Sequence, residues 1–158
     1  MEENMTKDLE STSMYHLFAK LFAHVAKEVS DSFGDEGKEA IKRGVKNFGE
    51  ERGRDIARRA KAKGATNDVA NYLTSYDMDR SDFFESEDTY GEGQVEQLFT
   101  RCIFADQWKK DQTEEYGYLY CEMIDPSIAR GYNENLECIH EKHFFKDGVC
   151  TFCFKMKE

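Results

Sequence analysis

From Ser13 onward, Met14, Leu17, Phe18, Leu21, Phe22, Val25 and Val29 recur at the spacing of one helical face, a periodicity that no strand can satisfy. The segment is therefore an amphipathic helix, with Ser13 as its N-cap and Gly34 as its stop. Such a stripe could equally cover the domain's own sheet or a second subunit. His16 and His24 fall towards its edges and read as partly solvated side chains. A second helix is expected over 35–49, carrying Ile41, Val45 and Phe48 on one stripe, with Asp35 and Glu36 at the positive end of its dipole. A third follows over 50–64. Glycine inside a helix costs up to about 1 kcal/mol unless its missing side chain is used. Gly49 accordingly reads as a break, and Gly44 and Gly53 as points of close approach. Arg52, Arg54, Arg58 and Arg59 form the one dense basic patch. Its plain reading is a solvated helix face, and its sharper reading is an anion site. Residues 66–76 suggest a short fourth helix capped by Thr66 or Asn67.

With 158 residues the chain has room for one domain, 1–158, with residues 1–12 as a flexible N-terminal tail. The formal charge of −10 repels phosphate backbones and anionic lipid heads, so neither a nucleic acid nor a membrane surface is expected as partner. Aromatic residues at 13% supply enough bulky area to offset chain entropy. No stretch reaches the roughly 18 apolar residues that span a bilayer, and the acidic start MEENMTKDLE lacks the features of a signal peptide. The expected compartment is the cytoplasm. There the five cysteines, all after residue 100, are thiols, and an odd number cannot be fully paired.

The acidic, glycine-punctuated run 77–93 suits a surface loop or an irregular edge strand, and it lacks the ligand spacing of a calcium loop. Residues 95–104 read as a strand whose alternation puts Leu98, Thr100, Cys102 and Phe104 on one side. Asp106 then starts a helical turn containing Trp108. A longer helix follows, on which Tyr118, Cys121 and Asp125 sit at i, i+3 and i+7 and so share a face. Pro126 fits if Asp125 caps a new turn.

The last segment reads as a hairpin, with Asp147-Gly148 as a type I′ turn signal. Its second strand sends Cys150, Phe152, Phe154 and Met156 to one face and Cys153 to the other, which separates the two sulfurs of the C-T-F-C motif. The register stays open: a two-residue turn brings His143 alongside Cys150, and a three-residue turn brings His140 and Cys138.

FGDEGKEAIKRGVKNFGEERGRDIA, followed by a strand cysteine, a tryptophan turn, Y-C-x-x-x-D and a terminal D-G-x-C-x-F, resembles the L-2-amino-thiazoline-4-carboxylic acid hydrolase family over residues 15–154. The resemblance implies a cytoplasmic bacterial hydrolase-like protein that opens a thiazoline ring by adding water at the C=N carbon. The matched positions are Cys102, Cys121, Asp125 and Cys150, with Gly148 preceding the last.

The chemistry also follows from the residue types. A thiol of lowered pKa could attack the ring carbon, with Asp125 as base or as an orienter of water; Cys121 is the preferred nucleophile because it shares a face with Asp125. That route uses no cofactor. In the alternative, Cys102, Cys121 and Cys150 converge on zinc with Asp125 or a histidine as fourth ligand. Buried packing remains the ordinary fate of each cysteine taken singly.

The expected architecture is α+β: a helical N-terminal half packed on an antiparallel sheet that ends in a C-terminal β-hairpin. The site is expected where the Cys121 helix meets Cys102 and Cys150, with Tyr118, Trp108 and His143 as substrate-binding side chains. Two functions of different class fit it, a hydrolase acting on a small cyclic C=N substrate and a non-catalytic small-molecule or metal sensor.

Overall fold

The computed structural model describes residues 11–79 and 82–158. Of the tail read over 1–12, all but the last two residues lie outside the described residues, as do Arg80 and Ser81 of the acidic run.

Of the three helices expected over the first third, the second and third run on as one, and the first joins them through a non-helical residue, Gly34, within α1 (Met14–Ala62). Ser13 caps it, its hydroxyl accepting the His16 amide at 3.3 Å. Gly34 stops the first helical segment at a kink, as its place in the sequence indicates. Its φ of 61° and ψ of −139° are cheap for glycine alone, and helical geometry resumes at the next residue.

Gly49 is not a break, because α1 crosses α3 (Glu114–Tyr132) there, backbone against backbone. A Cβ on Gly49 would sit 2.6 Å from the Ser127 Cβ, and one on Gly53 would strike the Ile128 carbonyl. From the other side, a Cβ on Gly131 would strike the Glu50 carbonyl. Packing across this contact outweighs the poor helix propensity of its glycines. Gly44, in contrast, faces open space and is no approach point.

α3 continues straight through Pro126, so Asp125 is an interior helical residue and caps no new turn. The amide that proline withholds would have bonded the carbonyl of Glu122, an exposed residue that water can serve. Residues 66–76 form two 3₁₀ turns, Val69–Asn71 and Leu73–Ser75, in place of the expected α-helix. There the Asn71 side-chain amide donates to the Thr66 carbonyl at 3.0 Å, a local bond that competes with the helical ladder.

The sheet is antiparallel, in the order β1 (Phe84–Gly91), β2 (Gln94–Cys102), β4 (Cys150–Met156), β3 (Leu136–Lys142). β1, the aromatic and acidic stretch, is an exposed edge strand. In β2 the inward residues are Val95, Gln97 and Phe99, so Leu98 and Thr100 take the outer face, opposite to the expected phase. A register shift between Glu85 and Ser86 leaves Thr100 unpaired. That bulge is why Cys102, odd by alternation, still points inward.

α2 (Ile103–Lys110) follows at once, capped by Cys102 and not by Asp106, which lies in its first turn. Its Trp108 is fully buried and donates its indole N–H to the Ala19 carbonyl at 2.8 Å. Gly117 of α3 leaves the space that this ring occupies.

The β3–β4 connection is longer than either expected turn. It contains a single helical turn, α4 (Phe144–Asp147), closed by Gly148 in the left-handed region. Reciprocal bonds stabilise it: the Asp147 carboxylate accepts the His143 amide at 2.9 Å, and His143 Nδ1 accepts the Phe145 amide at 3.2 Å. The resulting register pairs His140 with Phe152 and Cys138 with Phe154.

The fold is thus α+β, a helical N-terminal half with an antiparallel sheet. Among the described residues no helix is long and apolar enough to cross a membrane.

The crossing yields a paired expectation. Gly53→Ala forces a methyl group into the α3 backbone and lowers stability by about 1–3 kcal/mol. Gly44→Ala at its open position raises stability by up to about 1 kcal/mol. Urea denaturation midpoints of the two variants should move in opposite directions.

Candidate functional site

Between the inner face of the sheet and helices α1 and α3 lies a cavity of about 680 Å³. Its wall is largely aromatic: Tyr76, Phe84, Phe99, Phe104, Tyr120, Phe144, Phe152 and Phe154. Set into that wall are Cys102 from the end of β2, Cys121 and Asp125 from α3, Cys150 from the start of β4, and His140 and His143 from the β3–α4 segment. The helical spacing of Cys121 and Asp125, one turn apart, puts both on the cavity face of α3.

Of the residues singled out from sequence, Cys102, Cys121, Asp125, Cys150 and His143 therefore meet at one hollow. Tyr118 and Trp108 do not line it. Tyr118 is exposed and sets its ring edge-to-face against His143 at 5.2 Å. Trp108 is sealed in the core behind Gly117. Cys138 and Cys153 are also absent from the lining, and Cys153 lies on the opposite face of β4 from Cys150.

One cation of the wall is Arg52 of α1. It was grouped with a solvated basic patch, and for Arg58 and Arg59 that is correct, since both are exposed and paired with Asp55. Arg52 instead turns inward. Its Nε donates to Asp77 Oδ2 at 2.9 Å and its Nη2 to Oδ1 at 2.8 Å. Its guanidinium lies over the rings of Tyr76 and Phe48, 5.4 and 5.7 Å from their centres. Burial works against its charge, yet the Asp77 hydrogen bonds hold the guanidinium more firmly protonated than usual. A sequence signal existed: Arg52 is one residue before Gly53 and four before Ile56, on the buried side of α1.

The same low-dielectric wall governs the acids. Burial pushes the Asp125 carboxyl up to about 6, against the pull of the Arg52 charge and a backbone hydrogen bond. Burial also raises every cavity thiol: Cys102 to about 11, Cys150 to about 12, and Cys121 well above its ordinary value, the last with neighbouring Cys102 and Asp125 adding to the rise. Near neutral pH the thiols are protonated, while Asp125, with its midpoint at about 6, is mostly ionised. His143 is pushed down to about 4 and His140 is lowered, both first by burial, so both imidazoles are neutral.

Among the described residues, one trio of metal-ligating type gathers its donor atoms within 4.8 Å, and it is His140, His143 and Cys150. The three-thiol set weighed from sequence is not that group. Sequence spacing hid the trio because His140 and His143, three apart, belong to opposite faces of a regular strand.

The family model for L-2-amino-thiazoline-4-carboxylic acid hydrolase matches residues 14–154. No curated protein matches the sequence. Among solved structures, subunit 3 of a trafficking protein particle complex from Naegleria fowleri, crystallised covalently bound to palmitic acid, shares the fold with a TM-score of 0.53. It is 15% identical and is covered over 91% of this chain and 95% of its own.

Because the folded-state pKa of Asp125 is raised above the ordinary aspartate value, the native protein binds the proton more tightly than the unfolded chain does. The stability that this group contributes is then fully present below about pH 4 and is lost as pH rises to about 6. Asp125→Asn removes this slope. Above about pH 7 the variant should be the more stable by on the order of 2 kcal/mol, with the difference vanishing near pH 4, as read by chemical denaturation at both ends.

Proposed function

As the chain belongs to the L-2-amino-thiazoline-4-carboxylic acid hydrolase family, we propose that it hydrolyses a small cyclic C=N substrate inside the cavity, with ring opening. The observation that carries this reading is Asp125: a carboxyl of pKa about 6, buried in a cavity large enough for a small heterocycle. A base with that pKa is mostly ionised at neutral pH yet takes a proton more readily than an ordinary carboxylate, which suits general base catalysis.

In the proposed sequence the Asp125 carboxylate takes a proton from water as its oxygen bonds to the ring carbon. The C=N π pair moves to nitrogen, giving a tetrahedral carbon. The nitrogen pair then re-forms the C=N bond as the bond from that carbon to the other ring heteroatom breaks, and the departing heteroatom takes the proton back from Asp125. Arg52, held in place by Asp77, supplies a positive potential for an anionic substrate group. The raised pKa of Cys121 favours this water route over attack by a resting thiolate. Cys121, one turn before Asp125, positions the water or donates its S–H, and Cys102 and Cys150 complete the thiol-lined wall.

A second reading is favoured by the thiol and aromatic lining together with the fold neighbour that carries palmitic acid. Here the cavity holds an acyl chain without turning it over. The acyl group passes from an acyl thioester donor to a cavity cysteine, and the donor thiol leaves with the cysteine proton. Intact-mass measurement of the purified protein separates the two, since an acyl adduct released by hydroxylamine belongs to this reading alone.

With 2-aminothiazoline-4-carboxylate as substrate, ring opening followed by mass spectrometry should show kcat/KM rising through an apparent pKa near 6. Asp125→Asn should lower turnover by about 10²-fold or more. Cys121→Ser should retain measurable turnover. Abolition of turnover in Cys121→Ser, with an acyl-enzyme-like adduct on Cys121 in the parent protein, points to thiol attack instead.

A further inference from the structure

His140 and His143 each bury an Nε2 atom that has no hydrogen-bond partner. Buried polar atoms without partners are rare, and two of them facing one thiol call for an occupant. The register shift between His140 and Lys142 and the helical turn α4 bring both rings to the same side as Cys150. The rings lie 5.2 Å apart between centres, and His140 packs at a tilt against Phe152, 4.3 Å between centres.

We infer that His140, His143 and Cys150 form a binding site for a divalent transition-metal cation, zinc by its donor chemistry, with a fourth position open to the cavity. Two imidazole nitrogens and one thiolate suit zinc better than magnesium or calcium, which take oxygen ligands. Three protein ligands with a free position is the pattern of a site that keeps room for water or a small molecule.

The donors are held from behind. The Phe144 amide donates to Cys150 Sγ at 3.4 Å. The His140 ring holds a hydrogen bond to the Lys142 backbone, the kind of outer contact that orients a liganding imidazole. His143 pays one hydrogen bond: with Nδ1 accepting the Phe145 amide, its ring proton sits on Nε2, and a metal there sends that proton to Nδ1. Cys150 gives up its thiol proton to solvent, one proton per cation bound. The site needs neither Asp125 nor a substrate, so it stands independently of the ring-opening reading.

The test is a cobalt titration of the full chain after dialysis against a chelator. The expected result is one cobalt ion per chain, with tetrahedral visible bands and a thiolate-to-cobalt charge-transfer band, both bleached by zinc. His140→Gln and His143→Gln should each weaken binding by at least about tenfold, and Cys150→Ser should abolish the charge-transfer band. Cys102→Ser and Cys121→Ser should leave the band in place. Circular dichroism checks that each variant is folded, and if one is not, the parent protein's spectrum and stoichiometry decide. No charge-transfer band in the parent protein, a band that survives Cys150→Ser, or one that is lost in Cys102→Ser overturns the site. Ring opening that persists in chelator-treated protein that binds no cobalt removes this site and leaves the hydrolytic reading standing.

Discussion

The crossing of α1 and α3 determines where the chemistry sits. Gly49 and Gly53 on one helix meet Ser127 and Gly131 on the other so closely that backbone touches backbone. At ordinary interhelical distances of about 8–10 Å the cavity face of α3 would stand further from Arg52. The tight contact instead brings the Arg52 charge within reach of Asp125 and presents Cys121 and Asp125 to the sheet. Lys46 and Arg130 close the edge of the crossing by both pairing with Glu50 at 3.1 Å. These exposed pairs add little energy, and the glycines set the distance.

Around that crossing the protein makes a hollow of low dielectric and places ionisable groups in it. A buried charge is tolerated where it is paired, as Arg52 is with Asp77, both side chains only 14% exposed. A buried group without such a partner moves towards its neutral form. That single rule accounts for the raised thiols, the lowered histidines and the raised carboxyl of Asp125. It also changes which residue is the natural base: burial that makes Asp125 an effective proton acceptor near neutrality makes Cys121 a reluctant thiolate.

Much of this was legible in the chain. Helical periodicity located α1 and α3, and the i, i+4 relation of Cys121 and Asp125 placed them on one face. Strand alternation separated Cys150 from Cys153. What escaped was whatever depends on contacts between distant segments. Gly49 looks like a break until α3 is laid across it, because local propensity says nothing about a partner helix. Cys102 reaches the cavity through a bulge set by pairing with β1, and the alternation that suggested its direction put Leu98 and Thr100 on the wrong face. The Asp-Gly pair marks a reversal correctly, but a capped helical turn, closed by His143 and Asp147, replaces the two-residue turn. That longer reversal turns both histidines towards Cys150, where either tight turn offered one. Arg52 was hidden among exposed arginines of identical type and is distinguished only by its register with Ile56.

The account depends most on the ionisation of one carboxyl. Selective ¹³C labelling of aspartate, with the Asp125 resonance assigned by its loss in Asp125→Asn, allows that group to be titrated in the intact protein by NMR. A midpoint near 6 is the result expected of a carboxyl enclosed in the aromatic cavity and only partly compensated by Arg52. A midpoint near the ordinary aspartate value of about 3.9 would mean that Asp125 is solvated, and the cavity would then have no base suited to activating water.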